Sequence, residues 1–172
     1  MPMTYKLRRA GASDMPAVYR MIAEGRESLA ARGVDQWQTD APGAREFARD
    51  CALSQLWVLT DESGAPCASA ALCFGDDPSY RVITDGAWEN PPPYAAIHRV
   101  AVAGRCRGRG VAGILFDRLC RIARDAGVPS VRVDTHENNR SMRRALEKSG
   151  FVYRGRVRTL QGRPRVAYEK SL

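Results

Sequence analysis

The sequence predicts an α/β fold built on a mixed sheet of about seven strands, and three observations predict it. Short strand-like runs and longer amphipathic helical runs alternate along the 172 residues. The stretch Ile97–Gly113, IHRVAVAGRCRGRGVAG, passes from an apolar strand through a glycine- and arginine-rich turn straight into a helix. That helix then leads through short connections to another strand, which makes a right-handed crossover between parallel strands. The other strands read as antiparallel hairpins.

In chain order, residues 4–9 alternate Tyr5 and Leu7 with polar partners, the period of a strand. Ser13-Asp14 then offers an N-cap with Pro16 in the first turn. A helix follows from about Pro16 to Ala31, with Val18, Ile22 and Leu29 near one face, and Arg32-Gly33 ends it. The segment GVDQWQ sets Trp37 in a polar, turn-like context, where a large ring either plugs the core or lines a pocket. Ala44, Phe47, Ala48 and Cys51 give a second helix from about Pro42 to Leu53. Leu56–Thr60 reads as a strand, DESG as a tight turn and Cys67–Phe74 as its hairpin partner. From Gly75 to Pro93 the chain turns irregular, with Asp76, Asp77, Pro78, Tyr80, Asp85, Trp88 and Glu89. Long loops in compact domains are usually functional or disordered. After the arginine-rich turn, Val111, Ile114, Leu115, Leu119 and Ile122 form the buried stripe of a helix ending at Ala126-Gly127. Pro129–Asp134 is the next strand. Asn139 and Ser141 start a helix whose Met142, Ala145 and Leu146 face the core and which Gly150 caps. Phe151–Val157 and Val166–Lys170 close the chain as a hairpin across the GRPR turn.

At this length one domain, residues 1–172, is expected, burying roughly 70% of its unfolded surface. No apolar run approaches the roughly 20 residues of a membrane span, and MPMTYKLRRA lacks a signal-peptide core, so a cytoplasmic protein with no membrane partner is expected. The five cysteines are scattered, without CxxC spacing or a histidine companion, which argues against disulfides and a metal site. Cys106, lying among arginines, is the one thiol whose setting favours a lowered pKa. The net charge of +8 raises nucleic acid as a partner. No Lys/Arg block, aromatic RNA-binding signature or zinc-finger spacing accompanies it, so a nucleic-acid-binding domain is the weaker reading.

The turn itself reads as a diphosphate cradle. Gly108 and Gly110 permit unusual dihedrals and close approach of a ligand, and the N–H groups leading into the helix favour an anion. Arg105, Arg107 and Arg109 add forked donors suited to phosphate. A P-loop would need Lys and Ser or Thr after the last glycine, where this chain has Val111 and Ala112. Gly108, Gly110 and Gly113 do match dinucleotide spacing, with Asp134 roughly 20 residues on. The remaining alternative is a solvated basic turn.

The pattern Arg105-x-x-Gly108-x-Gly110 after Val100-Ala101-Val102 resembles the acyl-coenzyme A signature of the GNAT superfamily of N-acetyltransferases. The strand Val131–Asp134, then Asn139, then a helix closing in Lys148-Ser149-Gly150-Phe151, adds a second family feature. The segments GVDQWQ, PYAAIHRVAV and DTHENNRSMRRALEKSGF are similar to those of bacterial members, over nearly the whole chain. The resemblance implies a GNAT-like mixed, twisted sheet with helices on both faces, acetyl-CoA as co-substrate splaying two central parallel strands, and no metal. It implies cofactor contacts at Val100, Ala101, Val102, Arg105, Cys106, Arg107, Gly108, Arg109, Gly110, Val111, Ala112, Asn139 and Met142. A backbone N–H of Val100–Val102, Val102 above all, would support the oxyanion. Many family members carry a tyrosine acid seven residues after the asparagine. Here that position is Leu146, so the acid does not carry over, and Tyr153, another group or solvent takes its place.

Direct acyl transfer to an amine wants a base, because a lysine-like amine of pKa near 10.4 loses its proton at pH 7 at a cost of roughly 4–5 kcal/mol. His98 is the first candidate; by resemblance it aligns with one histidine of the arylalkylamine N-acetyltransferases. A structural histidine is the alternative, His136 and Glu137 are competitors, and Asp134 is a candidate to orient either histidine. The Gly75–Pro93 segment reads as an acceptor-site lid, with Asp85 and Glu89 attracting an ammonium and Trp88 and Tyr94 packing it, or else as a solvated connector. Trp37, Trp88, Glu89 and Tyr94 are therefore the candidate substrate contacts, for a primary amine of a small molecule or peptide. A homodimer is the family's common assembly. A non-catalytic acyl-CoA sensor is the rival reading that the missing tyrosine invites.

Overall fold

The sheet is ordered by hairpins at both ends and by one parallel crossover in its middle. The computed structural model describes residues 3–172, and its seven strands are β1 (Lys6–Arg9), β2 (Leu56–Thr60), β3 (Pro66–Phe74), β4 (Ala95–Val102), β5 (Ser130–Thr135), β6 (Val152–Arg158) and β7 (Pro164–Ser171). They stand in the order β1-β2-β3-β4-β5-β7-β6. The helices are α1 (Met15–Ala31), α2 (Ala44–Ala52), α3 (Val111–Asp125) and α4 (Arg140–Lys148). The mixed α/β reading and the seven strands therefore hold, with boundaries displaced by a residue or two. β4 begins at Ala95, ahead of the apolar run, because Ala95 and Ala96 pair with Val131 and Arg132 of β5 in parallel. β7 begins at Pro164, inside the expected GRPR turn. Proline is tolerated at a first strand position, and this one lies opposite Arg158.

Two compact units divide the chain: that up to Leu72 together with Arg99–Leu115, and Cys73–His98 together with Phe116–Leu172. In the first, β1, β2 and β3 form an antiparallel meander, Lys6 opposite Thr60 and Leu56 opposite Ala71. Val18, Ile22 and Leu29 of α1 are buried as their spacing requires, and Tyr19 meets the buried Phe47 of α2 edge-on, ring centroids 5.6 Å apart. Asp14 stands at the N-cap of α1, but its side chain makes no cap bond to that helix. A short 3-10 turn, Ala12–Asp14, precedes the helix, and the carboxylate instead takes both arms of the Arg8 fork, at 2.7 and 2.8 Å, and the N–H of Gly11 at 2.8 Å. A charge-assisted bidentate pair is stronger than a single cap bond, and it holds the Asp14 carboxyl below its usual value.

In the second unit β5 pairs antiparallel with β7 along its whole length, and β7 with β6. Tyr80, Tyr94, Ala96, Val157 and Ala167 form a buried cluster, against which Ile83 and Trp88 pack. So the stretch expected to be irregular carries core residues. It also holds a 3-10 turn, Pro78–Tyr80, and a bridge in which Thr84 and Arg156 exchange both backbone hydrogen bonds at 2.8 Å.

Candidate active site

In the first unit, the glycine-arginine turn is built by contacts from three residues that the local sequence does not announce. Ala103 N–H donates to Cys67 O at 2.8 Å, Gly104 N–H to the Glu24 carboxylate of α1 at 2.7 Å, and Arg105 to Asp61 Oδ2 at 2.9 Å and Pro66 O at 3.2 Å. The Ser63 hydroxyl first, then Arg105 and the Ala65 N–H, lower the Asp61 carboxyl to about 2. Arg105 is thus a strut between the turn and the β2–β3 hairpin. Gly108 and Gly110 both stand at φ 73, the left-handed region that favours glycine. A Cβ added at either would meet nothing within 4 Å. The requirement there is the dihedral, and it leaves the turn's backbone open just ahead of Val111, where α3 begins. Arg107 and Arg109 are exposed; Arg107 donates to Val102 O at 3.3 Å, and Arg109 has no partner among the described residues. Two cations beside open N–H groups at a helix start fit a polyanion such as the coenzyme A diphosphate. Cys106 is 1% exposed and lies beside the Cys67 thiol, which burial first and Cys106 second push up to about 12. It is therefore closed to solvent, which removes the exposure that a reactive thiol needs.

β4 carries a break in its regular pleat. Arg99 has φ 55, a strained angle for a residue with a side chain, and its guanidinium forks onto Asp50 of α2, Nε–Oδ2 2.6 Å and Nη2–Oδ1 2.7 Å. Beyond it Ala101 is buried while Val100 and Val102 are half-buried. Trp37, at φ 63, is half-buried and rests on α1, where a Cβ at Gly25 would lie 3.2 Å from its ring.

In the second unit His98, half-buried, sits with Nε2 2.7 Å from Asp77 Oδ2. The Tyr80 ring lies against the imidazole, centroids 5.8 Å apart, and the Tyr80 hydroxyl donates to Asp134 Oδ1 at 2.6 Å. Burial first and Asp134 second raise the Tyr80 phenol well above its usual value, so it stays a donor. Asp134 thus serves Tyr80, and the carboxylate on His98 is Asp77. The competitors are occupied elsewhere: His136 Nδ1 accepts the Asn138 N–H at 3.1 Å, and Glu137 pairs with Arg156 at 3.0 Å.

The aromatics of the expected lid face a cation of the protein's own. Arg132 of β5 lies 4.3 Å from the Trp88 ring centroid and 3.8 Å from that of Tyr94. Its Nη2 donates to Asn90 O at 2.7 Å, and its Nε to the buried Glu169 at 3.5 Å. Glu169 in turn accepts the Glu89 N–H at 2.6 Å. The Glu89 side chain pairs with Arg154 at 3.0 Å, and Asp85 pairs with Arg156 at 3.6 Å. Far from hanging as a lid, the segment is fastened along its length, and its aromatic faces hold Arg132 where an acceptor's ammonium was expected. Asn139 caps α4, accepting the Met142 N–H at 3.4 Å and donating to Thr135 at 3.3 Å; Met142 is half-buried and Leu146 fully buried. No local motif pointed to Glu24, Asp50, Asp61, Asp77 or Tyr80. The one signal was Asp77-Pro78-Ser79, a turn-starting string whose Asp77 Oδ1 does accept the Ser79 N–H at 2.9 Å.

Comparison with known proteins fits this geometry. Residues 18–151 match the Acetyltransferase (GNAT) family. An acetyltransferase of the GNAT family from Streptococcus agalactiae is 32% identical, with a TM-score of 0.89 over 98% of this chain and 95% of its own. A second, from Listeria monocytogenes, shares the fold at 16% identity, with a TM-score of 0.74 over 98% of this chain and 95% of its own. A GNAT superfamily phosphinothricin acetyltransferase from Sinorhizobium meliloti, solved in complex with AcCoA, shares it at 17% identity, with a TM-score of 0.69 over 99% and 89%. Among curated proteins, none matches. Among the described residues no helix is long and apolar enough to cross a membrane. With the family matched over most of the chain and the open Gly108–Gly110 turn leading into α3, the protein belongs to the GNAT family of acetyltransferases.

Proposed function

We propose that the protein moves an acetyl group from acetyl-CoA to a primary amine of a small molecule or peptide, by direct attack of the amine. The observation that carries this reading is the turn at Arg105–Gly110, with two left-handed glycines, open backbone and the exposed Arg107 and Arg109 before α3. Acetyl-CoA supplies an activated thioester; everything else falls to this chain. Arg107, Arg109 and the N–H groups entering α3 hold the diphosphate. Backbone N–H groups of Val100–Val102 are the donors for the thioester oxygen, and preorganised donors of this kind supply a large share of catalysis. Asn139 and Met142 line the pantetheine arm.

His98 takes the proton from the amine. An imidazole, with one nitrogen to accept a proton and the other already carrying one, suits that transfer. The leaving thiolate, of pKa near 8.5, departs unprotonated at a cost of only about 2 kcal/mol at pH 7, so a dedicated acid is not needed and Leu146 does no harm. Calorimetric titration with acetyl-CoA should show binding that Arg109→Ala weakens; no heat of binding would sink the reading. Release of free thiol across polyamines, amino acids, aminoglycosides and lysine peptides then separates an enzyme from an acyl-CoA sensor, which would bind and stay silent. For the base, His98→Ala should lower kcat by about 10²–10⁴-fold, the contribution of a positioned base, and wild-type kcat across pH 6–9 would refute the assignment.

A further inference from the structure

We propose that Asp77 is the positioning residue of this site: it locks His98 as the Nε2–H tautomer and so makes Nδ1 the basic nitrogen. The inference rests on the reading of His98 as the base. Four contacts carry it. Asp77 Oδ2 is 2.7 Å from His98 Nε2. Oδ1 of the same carboxylate accepts the Ser79 N–H at 2.9 Å, at the start of the Pro78–Tyr80 turn, so the carboxylate cannot swing. Its backbone N–H donates to the Tyr94 hydroxyl at 2.8 Å, which ties the residue to a buried ring. Tyr80, 1% exposed and fixed by Asp134, braces the imidazole face.

The chemistry follows from what each atom can do. A carboxylate has no proton to give, so it accepts from His98 and Nε2 must be the N–H. In a neutral imidazole the other nitrogen then carries the lone pair. The groups facing the ring are Asp77 and Tyr80, with Tyr94 and Asp134 behind them. Burial works to raise the Asp77 carboxyl, and the His98 bond and charge, with Ser79, offset it and leave the group below its ordinary value. When His98 takes a proton from the amine, the carboxylate already in place stabilises the imidazolium.

The chain has two histidines, so nitrogen-15 long-range correlation spectra of the imidazoles are assigned with a single His136→Gln variant. Wild-type His98 should show protonated Nε2 and bare Nδ1. Asp77→Asn is the informative exchange. Its amide oxygen is drawn to the Ser79 N–H, its NH2 faces His98, and Nε2 must then accept, which moves the ring proton to Nδ1. Such an isosteric amide behind a histidine base leaves the geometry and fixes the wrong tautomer. With the best amine of the panel, kcat should fall by at least about tenfold while the acetyl-CoA KM stays put. Asp77→Ala should scramble the tautomer and lower kcat as well. Wild-type His98 protonated on Nδ1, or an unchanged tautomer in Asp77→Asn, overturns the proposal. Because the tautomer is read without turnover, His98→Ala with wild-type kcat alongside a normal tautomer shift would instead locate the failure in the base reading.

Discussion

At the scale of single residues, the strained position in β4 is held by a contact remote in sequence. Arg99 keeps φ 55 because its fork closes on Asp50, which is 1% exposed. A left-handed angle at a residue with a Cβ costs on the order of 1–3 kcal/mol and persists only where its surroundings over-determine it. Among the described residues, removing the guanidinium leaves the buried Asp50 carboxylate with the Gln55 side-chain amide, at 3.3 Å, as its one side-chain donor. Breaking one half of such a pair costs about 3–5 kcal/mol. Arg99→Ala should therefore lower unfolding stability by about 3 kcal/mol in urea titration, net of relieved strain. Arg99→Lys should recover only part of it, since an ammonium cannot reproduce two parallel bonds. Equal stabilities for Arg99→Ala and wild type would show that the fork contributes nothing.

At the scale of elements, the segment between β3 and β4 is the best illustration of what sequence does and does not reveal. Gly86 stands at φ 153, and a Cβ built there would lie 1.9 Å from the Arg154 carbonyl oxygen of β6. Gly155 on the facing strand, at φ 148, is crowded too, its Cβ position 2.5 Å from Thr84 O, and sits where the β6–β7 register shifts. Backbone cannot retreat as a flexible side chain can, so Gly86→Ala should cost at least about 1–3 kcal/mol and loosen the segment. Hydrogen exchange would report this as faster exchange of the Thr84 and Arg156 amides; unchanged rates would contradict the pinning. Periodicity, bounded by cap and turn signals, located all seven strands and four helices, because core-facing residues such as Leu56, Val58, Leu115 and Leu119 repeat at the period of their element. The glycine-arginine turn was legible for the same local reason. The Gly75–Pro93 segment was not. Its order comes from Thr84 against Arg156, Trp88 against Arg132 and Glu89 against Glu169, pairings more than forty residues apart that leave no mark on neighbouring positions. Likewise His98 stood out by type, while Asp77, twenty-one residues earlier, did not.

At the scale of the whole molecule, a net charge of +8 makes every carboxylate count. Asp14 pairs with Arg8, Asp50 with Arg99, Asp61 with Arg105, Asp77 with His98 and Glu169 with Arg132. Asp14, Glu46, Asp61 and Asp77 all titrate below their ordinary values in the folded chain. A carboxyl with a depressed folded pKa contributes stability that is fully present above its unfolded value and is lost as pH falls through its folded one. Stability should accordingly be level above about pH 5 and drop steeply from about pH 4 downward, with Asp61, at about 2, setting the low end. Protonation acts twice in that window, since each neutralised carboxyl also removes a negative charge from a chain holding 27 Lys and Arg against 19 Asp and Glu. Asp61→Asn isolates one share of the effect. The variant loses the pairing with Arg105 that holds the glycine-arginine turn to the β2–β3 hairpin, so its melting temperature at pH 7 should lie below wild type. As pH approaches 2, wild-type Asp61 becomes protonated and equivalent to the amide, and the two melting curves should converge. A gap that stays constant from pH 7 to pH 2 would mean that the Asp61 charge does not hold the turn.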